Sequence, residues 1–327
     1  MMPAYALIGD IGGTNARLAV CNLETGKISN IQRFLTRDYL TFEEVITHFL
    51  NESPVRLQYA CLAIASPIND EWITMTNNSW AFSPAALKKQ FAFEQLEIIN
   101  DFTAVSMSIP LLSEECVIQF GGGERERHQP IAVYGAGTGL GVSCLIDRNG
   151  WMVIPGEGGH VDFAATTHEE EVICSIMRSR LGHLSAEKLL SGQGLVNIYE
   201  AVVLADKRQP ERLSPAEVTT RALNYSCHDC YRTLTLFCTA MGHFGGNLAL
   251  TYGASGGVYI AGGIVPKIKE FFLKSDFRVA FEDKGRFGKW LKQVPVYLII
   301  HESPGLTGAV AWLQQQLTSK QQPLVLA

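Results

Sequence analysis

Three glycine-rich stretches stand where backbone amides could meet phosphate. Gly9-Asp10-Ile11-Gly12-Gly13-Thr14-Asn15 follows one apolar run, Gly135-Ala136-Gly137-Thr138-Gly139-Leu140-Gly141 follows another, and Gly262-Gly263 ends a third. Such turns aim N–H groups at one point, and the missing side chains let anionic oxygens approach. Thr14 and Thr138 add hydroxyl donors. Neither long stretch is a Walker loop, because no Lys-Ser/Thr follows its glycines. Neither opens a helix, as a dinucleotide fingerprint does. One such turn is ordinarily structural; three at strand ends favour a nucleotide site. A carboxylate at Asp10 makes sense beside phosphate if a cation intervenes, and Mg²⁺ held through water is the natural mediator. Taken alone, an Asp there stabilises its own turn.

The elements that must carry these residues alternate strand and helix. Residues 5–8 read as a strand, 9–15 as breakers and 16–21 as the returning strand. Thr41 with Glu44 is a capping box for a helix through Val45, Ile46, Phe49 and Leu50. A buried strand is expected at 61–65, and Ser83-Pro84 opens a short helix to about residue 91. The strand 96–99 delivers Asn100-Asp101, and Asp101 can cap a helix that starts at Phe102 and stops by Pro110. The pattern restarts there, which puts a lobe boundary near residue 111.

Strands at 131–134 and 142–146 flank the second glycine stretch. Ala6-Leu7-Ile8-Gly9 resembles Ala132-Val133-Tyr134-Gly135, and Gly13-Thr14 resembles Gly137-Thr138, a weak repeat that predicts two related lobes. Thr167 with Glu170, and Ser214-Pro215 with Glu217, start further helices, and a long one fills 227 to about 250. A late strand, 257–261, precedes Gly262-Gly263, with a helix from about Pro266. The last strand, 296–300, leads to an apolar helix, 304–317, and the tail after Thr318 reads as frayed. This alternation is α/β.

At 327 residues the chain is long enough for two lobes. Its net charge of -5 and lack of a basic run give no support to nucleic-acid binding. No apolar stretch is long enough to span a bilayer, and no secretory signal is expected at the N-terminus. Eight scattered cysteines suit reduced thiols in the cytoplasm. Cys227-His228-Asp229-Cys230 lacks the second pair that a zinc site wants, so it reads as structural. Lys284, Arg286, Lys289 and Lys292 read as a solvated face.

Together, the glycine stretches, Ile99-Asn100-Asp101-Phe102-Thr103-Ala104, Pro155-Gly156-Glu157-Gly158-Gly159-His160, Leu189-Leu190-Ser191-Gly192 and Ala261-Gly262-Gly263-Ile264 resemble the proteobacterial glucokinase family over about residues 5–313. The resemblance implies a two-lobed actin/hexokinase-like (ribonuclease H-like) fold with an interlobe cleft. Residues 1–111 and 302–327 would form the smaller lobe and 112–301 the larger. It implies ATP-dependent phosphorylation of glucose to glucose 6-phosphate, with Mg²⁺, in a cytoplasmic homodimer.

By that resemblance Asp101 is the catalytic base, with Asn100, Glu157, His160 and Glu187 as sugar-hydroxyl ligands. Gly9, Asp10, Ile11, Gly12, Gly13, Thr14, Asn15, Gly137, Thr138 and Gly139 would face the phosphates and Mg²⁺, with Gly262 and Gly263 near the adenosine. The chemistry is consistent: phosphoryl transfer to an alcohol needs positioning, charge neutralisation and one carboxylate to take a proton. At an ordinary pKa of about 3.9, Asp101 would be ionised without tuning. A sugar pocket needs amide, imidazole and carboxylate together, which the set supplies. Taken singly, His160 could be structural and Glu187 a first-turn helix residue. The segment 161–167 holds no cysteine, so no structural zinc is expected there, unlike the wider repressor/kinase group. A kinase for another hexose or an N-acetylated amino sugar, or a sugar sensor of the same fold that does not turn over, are the alternatives.

Overall fold

The computed structural model describes residues 4–321, apart from positions 67, 69, 70, 76 and 77. The chain packs into two compact units, one of residues up to 113 with those from 301, the other Glu114–Ile300.

The first unit is built on β1 (Tyr5–Ile11), β2 (Asn15–Asn22), β3 (Ile28–Leu35) and β4 (Tyr59–Ile64). A two-stranded ribbon, β5 (Ile73–Thr74) with β6 (Ala81–Phe82), and then β7 (Gln95–Asn100) complete it. The sheet order is β3-β2-β1-β4-β7, with β1, β4 and β7 parallel and β2 and β3 antiparallel. Alternate residues of β1 enter opposite layers, as a two-residue period requires. Leu7 and Ile11 pack with α1 (Phe42–Asn51) and the residues around α2 (Pro84–Gln90). Ala6 and Ile8 pack with Ala104 of α3 (Asp101–Ser108) and with Leu306, Val310 and Leu313 of the C-terminal helix.

The second unit has β8 (Val117–Gln119), β9 (Ile131–Ala136), β10 (Leu140–Asp147), β11 (Trp151–Gly156), β12 (Val258–Ala261) and β13 (Val296–Ile299). Their order is β11-β10-β9-β12-β13-β8. An antiparallel trio, β9-β10-β11, joins the parallel β9-β12-β13, the same connectivity as in the first sheet. The faint repeat of the two glycine hairpins is thus a repeat of whole sheets. Helices α4 (His168–Leu181), α5 (Gly192–Ala205), α6 (Pro215–Leu223), α7 (His228–Tyr252), α8 (Lys269–Phe272), α9 (Phe277–Glu282) and α10 (Gly288–Leu291) follow, then α11 (Pro304–Gln321) of the first unit. No helix among the described residues is long and apolar enough to cross a membrane.

The capping boxes at Thr41, Thr167 and Ser214 form with both reciprocal bonds. Several expectations need correction. The first strand does not break at Gly9 but runs on through Ile11, so its turn shrinks to a few residues. The strands β3 and β11 were not anticipated. Ser83 makes no side-chain cap bond, and Pro84 alone starts α2. Asn100, not Asp101, caps α3, which ends at Ser108. Lys284 leaves the solvated face expected of its stretch: it is half-buried near Asp283 and Glu170, and burial holds its ammonium below its usual value. Cys227 stands at the N-cap of α7 and buried Cys230 one turn inside, both as free thiols. Helix α11 continues to Gln321, and the tail beyond it lies outside the described residues.

Helices α3 and α11 approach so closely that a Cβ on Gly308 would stand 1.6 Å from the Ala104 carbonyl oxygen. No rotamer relieves a clash with backbone, so the helices must separate. Gly308→Ala is expected to cost about 3 kcal/mol or more and to lower the thermal midpoint by several degrees. Calorimetry checks this, and an unchanged midpoint would contradict the packing described.

Candidate active site

In the first unit the site is set by strand register. Asp10 of β1 lies level with Ala63 of β4, and Ala63 with Ile99 of β7. The ends of β1 and β7 are therefore two strand spacings apart, roughly 10 Å. At the end of β7, the Asn100 side-chain oxygen accepts hydrogen bonds from Phe102 N (2.9 Å) and Thr103 N (3.3 Å). This cap leaves Asn100 only its amide N–H groups to offer a ligand. Asp101 becomes the first residue of α3, and its Oδ1 accepts from Phe102 N at 2.9 Å.

Burial first, and the negative charge of Asp10 second, push Asp101 up to about 6. Hydrogen bonds from the Phe102 and Asp101 amides and the Asn100 side chain pull the other way without cancelling the rise. The ordinary, untuned carboxylate expected from sequence is therefore replaced by one poised near neutrality. Asp10 is raised as well, by burial, and Arg17 opposes this. Arg17 lies opposite Asp10 across the β1–β2 hairpin and approaches it to 3.6 Å. The first turn of α11 closes on the same carboxylate: a Cβ on Gly305 would stand 3.0 Å from Asp10 Cγ.

The β1–β2 turn is held by its carbonyls. Asn15 O accepts from Gly12 N (2.9 Å), Gly13 O from Thr36 Oγ1 (2.8 Å), and Thr14 O from Thr36 N (3.1 Å). Thr14 is exposed at the tip. The Asn15 side-chain oxygen accepts from Arg33 Nε at 2.8 Å. The Ile11 side chain lies in the apolar core, and Gly9 is buried against Leu62 and Leu18, so both serve the turn through packing and backbone.

The second unit gathers the other predicted residues around the β9–β10 turn. Gly137 N donates to Gly139 O (2.8 Å), Gly137 O accepts from Gly192 N (2.9 Å), and Thr138 is exposed. Gly262, at φ +85°, lies against this turn, where a Cβ would come within 2.4 Å of the Ala136 carbonyl oxygen, and that oxygen accepts from Ile264 N at 3.3 Å. Gly135 is equally constrained, since its Cβ would stand 2.3 Å from Ala261 O. Around Gly137 and Gly263, by contrast, a Cβ would meet nothing within 4 Å. Glu187 Oε2 accepts from Leu140 N at 2.9 Å. Gly159 packs on Leu140, where a Cβ would stand 2.1 Å from its carbonyl oxygen, so Glu157 and His160 flank the same turn. Both are exposed, with His160 Nε2 4.0 Å from Glu157 Oε2.

Sequence reasoning missed Arg17, Gly305 and the bracing role of Ser191-Gly192. The signal for Arg17 was its place opposite Asp10 in a short hairpin. Among the described residues, no group of three or more His, Cys, Asp or Glu could hold a metal ion.

The chain is similar to several known proteins. Residues 7–316 match the family model for glucokinase. The glucokinase of Erwinia tasmaniensis is 57% identical over 318 residues, covering 97% of this chain and 99% of that protein. The crystal structure of glucokinase from an Antarctic psychrotroph, 34% identical, superposes with a TM-score of 0.86 over 95% of this chain and 99% of that one. The Balamuthia mandrillaris glucokinase, solved in complex with glucose, shares the fold at 22% identity, with a TM-score of 0.82 over 96% and 94% of the two chains.

The raised Asp101 has a consequence for stability. Its folded pKa of about 6 exceeds the ordinary carboxylate value of 3.8, so its favourable contribution is complete below about pH 4 and lost as pH rises through 6. Above that, the ionised carboxylate strains the fold. Asp101→Asn is expected to stabilise the protein at pH 7.5 by on the order of 2 kcal/mol, with the advantage vanishing below pH 4. Thermal melts across pH check this; a variant less stable at pH 7.5 would contradict the burial argument.

Proposed function

The chain belongs to the glucokinase family, and from that premise we propose how its residues share the work. The enzyme transfers the γ-phosphoryl group of ATP to the 6-hydroxyl of glucose. Asp101 acts as the base: it takes the hydroxyl proton as the sugar oxygen bonds to the γ-phosphorus. The bond from that phosphorus to the β,γ-bridging oxygen breaks, and ADP leaves with the electron pair. What supports this role most is that burial and Asp10 bring Asp101 to about 6, near neutrality, where a general base is most effective.

The Asn100 amide, Glu157, His160 and Glu187 are proposed to hold the sugar hydroxyls, and the Gly12–Asn15 and Gly137–Gly139 turns the phosphates. The open space around Gly137 and Gly263 supports close approach of a ligand there. Asp10 suits Mg²⁺, an ion that takes one or two carboxylates and fills its remaining positions with water and phosphate oxygens. The charge pressure between Asp10 and Asp101 is what such a cation would relieve. When bound, it would neutralise charge developing on the phosphates.

These roles fall on both units, which we propose are the enzyme's two lobes. A cytoplasmic homodimer belongs to the same reading. Edge strand β11, with Met152 and Ile154 about half exposed, offers an apolar border for a second copy.

Two measurements test the assignments. Asp101→Asn should lower kcat by about a thousandfold or more while calorimetric glucose affinity stays within a few-fold; retained turnover would remove Asp101 as the base. Glu157→Ala and His160→Ala should raise the KM for glucose about tenfold or more with little change for ATP. An effect confined to ATP would move both residues away from the sugar.

A further inference from the structure

Glu187 was read as a sugar ligand, but its carboxylate is already engaged. Oε2 accepts the Leu140 N–H at 2.9 Å and lies so close to Gly139 that a Cβ there would stand 2.5 Å from it. The Glu187 carbonyl in turn accepts Ser191 Oγ (2.8 Å), and Ser191 Oγ accepts Gly194 N (3.0 Å) as the cap of α5. Beside it, Gly192 N donates to Gly137 O at 2.9 Å. The segment from Glu187 to Gly192 therefore grips the β9–β10 turn at both ends. The carboxylate holds the far side at Leu140, and the start of α5 holds the near side at Gly137. Between these grips lie Thr138 and the open face of Gly137.

We propose that Glu187 is a positioning residue for the nucleotide, fixing the Gly137–Leu140 turn in its binding shape in addition to meeting the sugar. Oε2 holds the turn and Oε1 is left for a hydroxyl, so one carboxylate serves both substrates. The proposal rests on taking this turn as the phosphate site. Amides preset toward an anion bind it better than amides that must be ordered first, so loss of the strut weakens nucleotide binding even without sugar.

The experiment is calorimetric binding of a non-hydrolysable ATP analogue with Mg²⁺ to the whole enzyme in the absence of glucose, with thermal midpoints recorded for each variant. Glu187→Ala should weaken the analogue on the order of tenfold. Glu187→Gln, whose amide oxygen still accepts the Leu140 N–H, should restore nucleotide affinity while glucose affinity stays impaired. Gly137→Ala, which meets no protein atom within 4 Å, should fold normally and lose nucleotide affinity through the ligand alone. Unchanged analogue affinity in Glu187→Ala beside a loss in Gly137→Ala would overturn the strut. Failure of Glu187→Gln to restore affinity at an unchanged midpoint would do the same. If Gly137→Ala also bound normally, the turn would not be the phosphate site, and the proposal would fall with that reading.

Discussion

The register of three parallel strands governs the chemistry of the first unit. Because Asp10, Ala63 and Ile99 stand level, β1 and β7 end at the same height with one strand between them. Two carboxylates follow from that geometry, one inside the end of β1 and one just past the end of β7. They stand close enough for the charge of Asp10 to raise Asp101. The helices behind them keep it so. Gly308 lets α11 lie against the backbone of α3, and Gly305 brings the first turn of α11 to Asp10. The glycines of α11 thus set where α3 and the Asp10 carboxylate stand.

The second unit repeats the sheet connectivity and uses it differently. Where the first sheet holds charges apart, the second holds backbone close. The Ala136 carbonyl accepts Ile264 N while Gly262 packs on it, and Gly135 meets the backbone of Ala261. Side chains at these positions would part β9 from β12. Some glycines are therefore required by packing (Gly135, Gly159 and Gly262), whereas Gly137 and Gly263 face open space. That distinction separates glycines fixed by backbone contact from glycines that are not.

Much of this was readable along the chain. The helices opened by Thr41, Thr167 and Ser214 were found because a capping box is a local device whose partners sit three residues apart. The glycine turns stood out because three of them follow strands, and Asp101 because the segment around it resembles the family. Strand β3 escaped because most of its residues are exposed or partly exposed and it lacks a buried alternation. Strand β11 escaped because, as a sheet edge, it leaves apolar Met152 and Ile154 outside. Asn100 and Asp101 are both competent caps, and the choice fell to Asn100 because β7 ends there, which a tertiary register decides. The bond from Glu187 to Leu140 spans 47 residues and leaves no local trace. The same holds for the raised pKa of Asp101, which arises from burial and a charge on another strand.

The account depends on Asp101 being tuned by its surroundings. The most direct measurement is a carbon-13 NMR titration of side-chain carboxyls in aspartate-labelled enzyme, free of substrate and divalent cation, with Asp101→Asn used to assign the signal. Asp101 should titrate at about 6, and replacing Asp10 by Asn should bring it down toward the usual carboxylate range. A titration already within the ordinary range in the unmodified enzyme would contradict the account.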